Sequence, residues 1–133
     1  MKRQMKKGFT LLELLVVIGI IAILVSIATV SYSSAQVRTR DARRRVDFAA
    51  MRDALEQYYA ANGSVYPTTC SSASTYLKAT WPVDPGSYTY TQVCTATTYC
   101  ICVQMEAGSG GNSNDSICTW TAGSGYYCVA NQQ

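Results

Sequence analysis

Six cysteines, Cys70, Cys94, Cys100, Cys102, Cys118 and Cys128, are the side chains of this sequence best able to make covalent or metal bonds. Their even number suits a disulfide framework made in an oxidising compartment. Zinc is the alternative, but Cys100-Ile-Cys102 has the wrong spacing for a knuckle, so no metal is expected. The chain has no histidine. That removes Ser-His and Cys-His nucleophilic pairs, His-ligated metals and the commonest general base. No other catalytic constellation is present, so a non-enzymatic protein without a cofactor is expected. Glu13 is the acidic oddity, a lone carboxylate inside an apolar run. Such a group costs about 2.5–3.5 kcal/mol at mid-bilayer and less near an interface. It either snorkels or takes a proton, or it awaits a positively charged partner. Arg38, Arg40, Arg43, Arg44 and Arg45 crowd around Asp41. They could bind DNA or anionic headgroups. The preferred reading is a solvated helix face that pairs with acidic groups on neighbouring subunits. No aromatic residue interleaves the cluster to stack on bases, and nucleic acid is disfavoured as a partner.

The elements that must carry these groups follow from the distribution of apolar residues. The chain has 133 residues, 48% of them apolar and only 14% charged. The apolar residues concentrate between Leu11 and Val30. Lys2, Arg3, Lys6 and Lys7 account for more than the whole net charge of +3, so the remainder is slightly acidic. Phe9 to Ser31 as a helix would be roughly 34 Å long, enough to cross a hydrocarbon core of about 30 Å. An ordinary signal peptide cut after Ser33-Ser34-Ala35 is the alternative, but signal h-regions are shorter than this run. Basic residues flank both sides of the span nearly equally, so charge does not orient it. The cysteines do, placing the C-terminal part outside the cell.

No proline precedes Pro67, and no glycine lies between Gly19 and Gly63. One helix can therefore run from about Phe9 to Ala61 until Asn62-Gly63 stops it. Phe48, Met51, Leu55, Tyr58 and Tyr59 make an apolar stripe on its second half. The pairs Asp41–Arg45, Arg43–Asp47 and Arg52–Glu56 have ion-pair spacing elsewhere on the helix. After Gly63 the composition turns to Ser, Thr, Gly and Tyr, with too little core to be stable without staples. Tyr66-Pro67 and Trp81-Pro82-Val83-Asp84-Pro85-Gly86 mark turns. Ser87–Val93, Tyr99–Glu106 and Gly125–Ala130 read as strands, with Tyr99, Ile101, Val103 and Met105 on one face. The expected fold class is α+β, a small antiparallel sheet packed on the helix stripe. Cys94 with Cys100 across the hairpin and Cys102 with Cys128 between strands would leave Cys70 to reach Cys118. Asn62-Gly63-Ser64 and Asn114-Asp115-Ser116 match the N-glycosylation pattern.

Residues 6–24, KKGFTLLELLVVIGIIAIL, resemble the class III signal of type IV pilins and pseudopilins. The match comprises a basic leader ending in Gly8, then Phe9, a run of aliphatics and Glu13 at the fifth position after the glycine. The resemblance implies cleavage between Gly8 and Phe9 by a prepilin peptidase, N-methylation of Phe9 and retention of the anchor. It also implies pairing of Glu13 with the α-amine of Phe9 on a neighbouring subunit. Two charges buried together offset the desolvation each would suffer alone. The Tyr-Pro, Trp-Pro-x-Asp-Pro and Tyr-x-Tyr signals resemble the head of small pilins. Asp115 alone in a Ser/Asn/Gly loop does not make the calcium site of a secretion-type major pseudopilin. The region Ile27-Ala28-Thr29-Val30 also lacks the proline that many family members carry there.

The expected organisation is a leader at 1–8, a membrane and polymerisation segment at 9–31, an amphipathic helix at 32–62 and a disulfide-rich head at 63–133. The expected function is that of a structural subunit of a type IV pilus-like filament, a homo-oligomer. The resemblance implies a prepilin peptidase, an assembly platform, minor pilins and the membrane as partners. The subunit would sit in the cytoplasmic membrane before assembly and in an extracellular fibre afterwards. The alternatives are a major pseudopilin of a type II secretion-like system and a membrane-anchored monomeric binding module.

Overall fold

In the computed structural model the described residues are 8–108 and 110–132. The leader residues Lys2, Arg3, Lys6 and Lys7 lie outside them. The chain divides into two compact units, residues 1–36 and 37–133. A single α-helix, α1 (Leu11–Ala61), contributes to both. It ends as its sequence requires. Gly63 and Ser64 take left-handed φ values of +71° and +64°. The Ser64 amide donates to the Tyr59 carbonyl and Asn62 Nδ2 to the Tyr58 carbonyl, satisfying C-terminal acceptors.

The second unit packs a three-stranded antiparallel sheet, β1 (Thr91–Cys94), β2 (Tyr99–Gln104) and β3 (Tyr126–Ala130), in the order β1-β2-β3. Phe48, Met51, Ala54 and Leu55 of α1 are fully buried with Tyr99, Ile101 and Val103 of β2. Tyr66, Tyr90 and Ala73 complete this core, and the Phe48 and Tyr90 rings meet edge to face at 4.9 Å. Tyr66 and Tyr99 both donate their hydroxyls to Glu56. Burial, reinforced by that carboxylate, pushes both phenols above the usual tyrosine range.

The buried face of α1 starts earlier than the apolar stripe. Asp41, Arg44, Phe48, Met51 and Leu55 follow one another at three- and four-residue steps, and all are buried. The Arg44 side chain is wholly enclosed. Its Nη1 donates to Asp41 at 2.7 Å, its Nη2 to Asp84 at 2.9 Å and to Glu106 at 2.7 Å, and its Nε to Asp84. Arg40 adds a second guanidinium on Glu106. The arginine cluster is therefore divided: Arg38, Arg43 and Arg45 are exposed as a solvated face would be, whereas Arg40 and Arg44 are satisfied within their own chain. Asp41–Arg45 does not form, because Asp41 turns inward while Arg45 donates to the Gly110 carbonyl. Arg52 pairs with Asp53 rather than with Glu56, whose carboxylate the two tyrosines occupy. Arg43–Asp47 does form.

β1 begins at Thr91 rather than Ser87 because the Asp84 carboxylate holds the Gly86 and Tyr88 amides in a turn. β2 ends at Gln104, and the Glu106 and Ala107 amides go instead to Asp41. All six cysteines are paired, as Cys70–Cys94, Cys100–Cys118 and Cys102–Cys128. Cys102 sits directly opposite Cys128 in the ladder and bridges it, as expected. The other two expected pairs, Cys94–Cys100 and Cys70–Cys118, are not made. Register puts Cys94 opposite Tyr99, so it shares that residue's face, while Cys100 points to the other. Cys94 accordingly reaches Cys70 on a 3₁₀ turn, Cys70–Tyr76.

Two outcomes test the enclosed cluster. Arg44→Met removes the guanidinium shared by three carboxylates and should cost about 3–5 kcal/mol, read as a lowered denaturation midpoint with intact disulfides. Protonation should act in the same direction. The Arg40 hydrogen bonds, with those of Arg44, outweigh burial and hold the Glu106 carboxyl down at about 2. Burial would raise Asp84, but Arg44 and two backbone amides hold it below the usual range. A depressed carboxyl stabilises the fold above its unfolded value of about 4.3 and ceases to do so as pH falls through its folded value. Stability should thus decline between about pH 4.5 and 2, and Glu106→Gln should flatten that part of a pH-dependent denaturation curve.

Candidate functional site: the apolar helix start

The first unit is built from Gly8, Phe9, Thr10 and the first half of α1. Phe9 is 89% exposed, and the large apolar side chains from Leu11 to Val30 are all exposed. This stretch is long and apolar enough to cross a membrane. A face of this size is far beyond the patches that soluble monomers carry. Lipid or other protein must cover it.

Glu13 is not idle at the head of this run. Its Oε2 accepts the Thr10 amide and the Thr10 hydroxyl, both at 2.8 Å, while the Glu13 amide donates back to Thr10 Oγ1 at 3.2 Å. This is a reciprocal capping box. Thr10 is the N-cap, and the carboxylate three residues on satisfies an amide that the helix cannot. The pattern Thr-Leu-Leu-Glu before an apolar run is readable in sequence, yet the expectation for Glu13 considered snorkelling, protonation or an external partner and not its own helix start. Among the described residues the carboxylate meets Thr10 and not Phe9. Gly8 precedes this cap with nothing within 4 Å of where a Cβ would stand.

The remaining candidate residues, the cysteines, lie in the second unit. Cys100, Cys102 and Cys118 bring their sulfurs within 4.8 Å of one another. Each is already bonded in a disulfide, so none offers the thiolate a metal needs.

Comparison with known proteins places this geometry. Residues 3–29 match the family model described as "Prokaryotic N-terminal methylation motif". The chain is 36% identical to the type IV wide pilus major component PilA4 of Thermus thermophilus over 111 residues, 80% of this chain and 76% of that protein. The chain belongs to the type IV pilin and pseudopilin family. It is also 36% identical to the fimbrial protein EcpC of Eikenella corrodens over 55% of its own length, and 39% identical to type II secretion system core protein G of Klebsiella michiganensis over 52%. These two alignments span only about half of each relative, 47% and 48%. No solved structure matches. Pilins and pseudopilins are structural subunits, not enzymes, which agrees with a histidine-free chain.

The capping box of this pilin-family chain can be tested alone. Thr10→Val should weaken the helix start by about 1 kcal/mol, speeding amide exchange at Glu13 roughly fivefold in detergent-solubilised protein. Exchange near Arg52 should not change.

Proposed function

We propose that this chain is a structural subunit of a type IV pilus-like filament. The observation that carries the reading is the uninterrupted exposed apolar run that opens on Phe9 and a hydrogen-bonded Glu13. In this reading residues 1–8 are a leader removed between Gly8 and Phe9 by a prepilin peptidase, and Phe9 is methylated. Residues 9–31 hold the subunit in the cytoplasmic membrane, with the C-terminus outside, where the disulfides form. Residues 32–62 continue the helix, and 63–133 supply the stapled part of the head. On assembly, the runs of neighbouring copies replace lipid around one another. The Glu13 carboxylate exchanges its Thr10 donors for the new α-amine of Phe9 on the next copy, which sets the register. An assembly platform and minor subunits would serve this polymerisation.

The pilus reading is preferred to a secretion pseudopilin because the alignment with the pilus component covers 80% of the chain, against 52% for core protein G. Asp115 points the same way. Its carboxylate is engaged by the amides of Ile117 and Thr119, closing a local turn rather than joining other oxygens around a cation.

Intact mass and N-terminal sequencing of the chain from cells, without reductant, test the processing. The expected species begins at methyl-Phe9 and is lighter by six hydrogens than its reduced form. A start near Gln36, or an intact Met1, would sink the proposal. Glu13→Val should insert normally but leave an α-ammonium buried without its partner, at several kcal/mol per ion. Sheared fibres should then fall roughly tenfold or more at equal membrane level.

A further inference from the structure

Two features of the head leave apolar side chains uncovered within one chain. The first is a rigid turn that turns apolar side chains outward. Ile117 is 71% and Trp120 56% exposed. The turn is nonetheless fixed on every side. Asp115 Oδ1 accepts the Ile117 and Thr119 amides, and Ser113 Oγ lies 2.9 Å from both the Asp115 and Thr119 carbonyls. Cys118 is bonded to Cys100 and held at a left-handed φ of +62°. A strained backbone persists only where its surroundings enforce it, and it concentrates at working surfaces.

The second feature is a groove of about 390 Å³ between α1 and segment 77–83, lined among others by Arg43, Ala50, Leu77, Lys78, Trp81 and Val83. Its volume falls in the range of about 300–1,000 Å³ that accepts ligands. Val83 is 78% exposed. Trp81 is only partly covered, its Nε1 donating to Gln92 at 2.9 Å.

The two features lie at opposite edges of the sheet. The turn hangs on β3, through the Ser113 bridge to Tyr126 and the Asn112 side chain, which donates to the Cys128 carbonyl and accepts its amide. The groove flanks β1, through Trp81 and Gln92. With strand order β1-β2-β3, a copy that offers its turn to a neighbour still has its groove free. Unlike patches meeting in this way repeat along a polymer, whereas like patches would close a dimer. The charges agree. Among the described residues Lys78 meets no carboxylate, and Asp115 meets no lysine or arginine. Arg43 already shares its charge with Asp47.

We infer that the Ile117–Trp120 turn of one copy docks in the 77–83 groove of the next, Ile117 and Trp120 against Trp81 and Val83, with Asp115 facing Lys78. This head-to-head contact rests on the proposal that the chain polymerises. It adds a second interface to the one made by the apolar helix.

The test uses the full chain in cells, with photoreactive benzoylphenylalanine in place of Ile117. Illuminated fibres should yield copy-to-copy products whose digest joins position 117 to segment 77–83. A charge reversal gives an independent reading. Lys78→Glu sets two carboxylates face to face and should lower fibre yield about fivefold. Asp115→Asn, which keeps the Oδ1 acceptor that closes the turn, should restore most of it as a double variant, at unchanged membrane level and disulfide content. Cross-links elsewhere on abundant fibres, cross-links to a different protein, or no rescue by the double variant would overturn the docking and leave polymerisation standing. Absence of fibres from the unsubstituted chain would overturn polymerisation, and the docking with it.

Discussion

A guanidinium with no contact with water cannot be left to chance, and Arg44 decides where three segments of the head must lie. Its donors reach Asp41 on its own helix, Asp84 in the Trp-Pro-Val-Asp-Pro loop and Glu106 just past β2. Two of these carboxylates do a second task with backbone. Asp84 holds the Gly86 and Tyr88 amides, and Asp41 holds those of Glu106 and Ala107. The charge therefore fixes loop conformations that a core this small could not. Close packing around it also explains Gly86, where a Cβ would stand 3.1 Å from Glu106 Oε1 and 3.2 Å from Arg44 Nη2. Aromatic packing then takes over along the helix, from the Phe48–Tyr90 contact to the tilted Tyr59 and Tyr66 rings.

The two halves of the chain solve opposite problems. The first has more apolar surface than one copy can cover, and its start is organised from within, by Thr10 and Glu13. The second is rich in hydroxyls and poor in aliphatic residues, so it relies on covalent bridges and one enclosed ionic cluster. The first half specifies that other molecules are needed. The second half specifies a single conformation before they arrive.

Legibility in the sequence followed the range of the interaction. The helix, its glycine stop and the buried face of β2 are local patterns and were readable residue by residue. The capping box was also local, in Thr10 and Glu13, but an ionised group in an apolar run draws attention to distant partners before near ones. Arg44 was harder. Counting back three and four residues from Phe48 reaches Arg44 and Asp41, so its place on the buried face is periodic. The carboxylates that make burial tolerable are 40 and 62 residues further on, a non-local fact. The disulfides divide in the same way. Cys102 and Cys128 follow from ladder register, whereas Cys118 comes to Cys100 through a turn that sequence does not place.

The three bridges also decide how the head answers a pull. They close loops with sequence separations of 24, 18 and 26, and the last two overlap. An unbridged stretch of 24 residues would lengthen by roughly 80 Å once its contacts broke, at about 3.3–3.6 Å per residue. The covalent short cuts withhold that length. Tension along the backbone passes from sulfur to sulfur, and the chain inside each loop stays slack. Within 70–94 and 100–128 a tugged subunit can lose its hydrogen bonds and still give little extension, so these bridged stretches work as short, stiff links in whatever line of force they are placed.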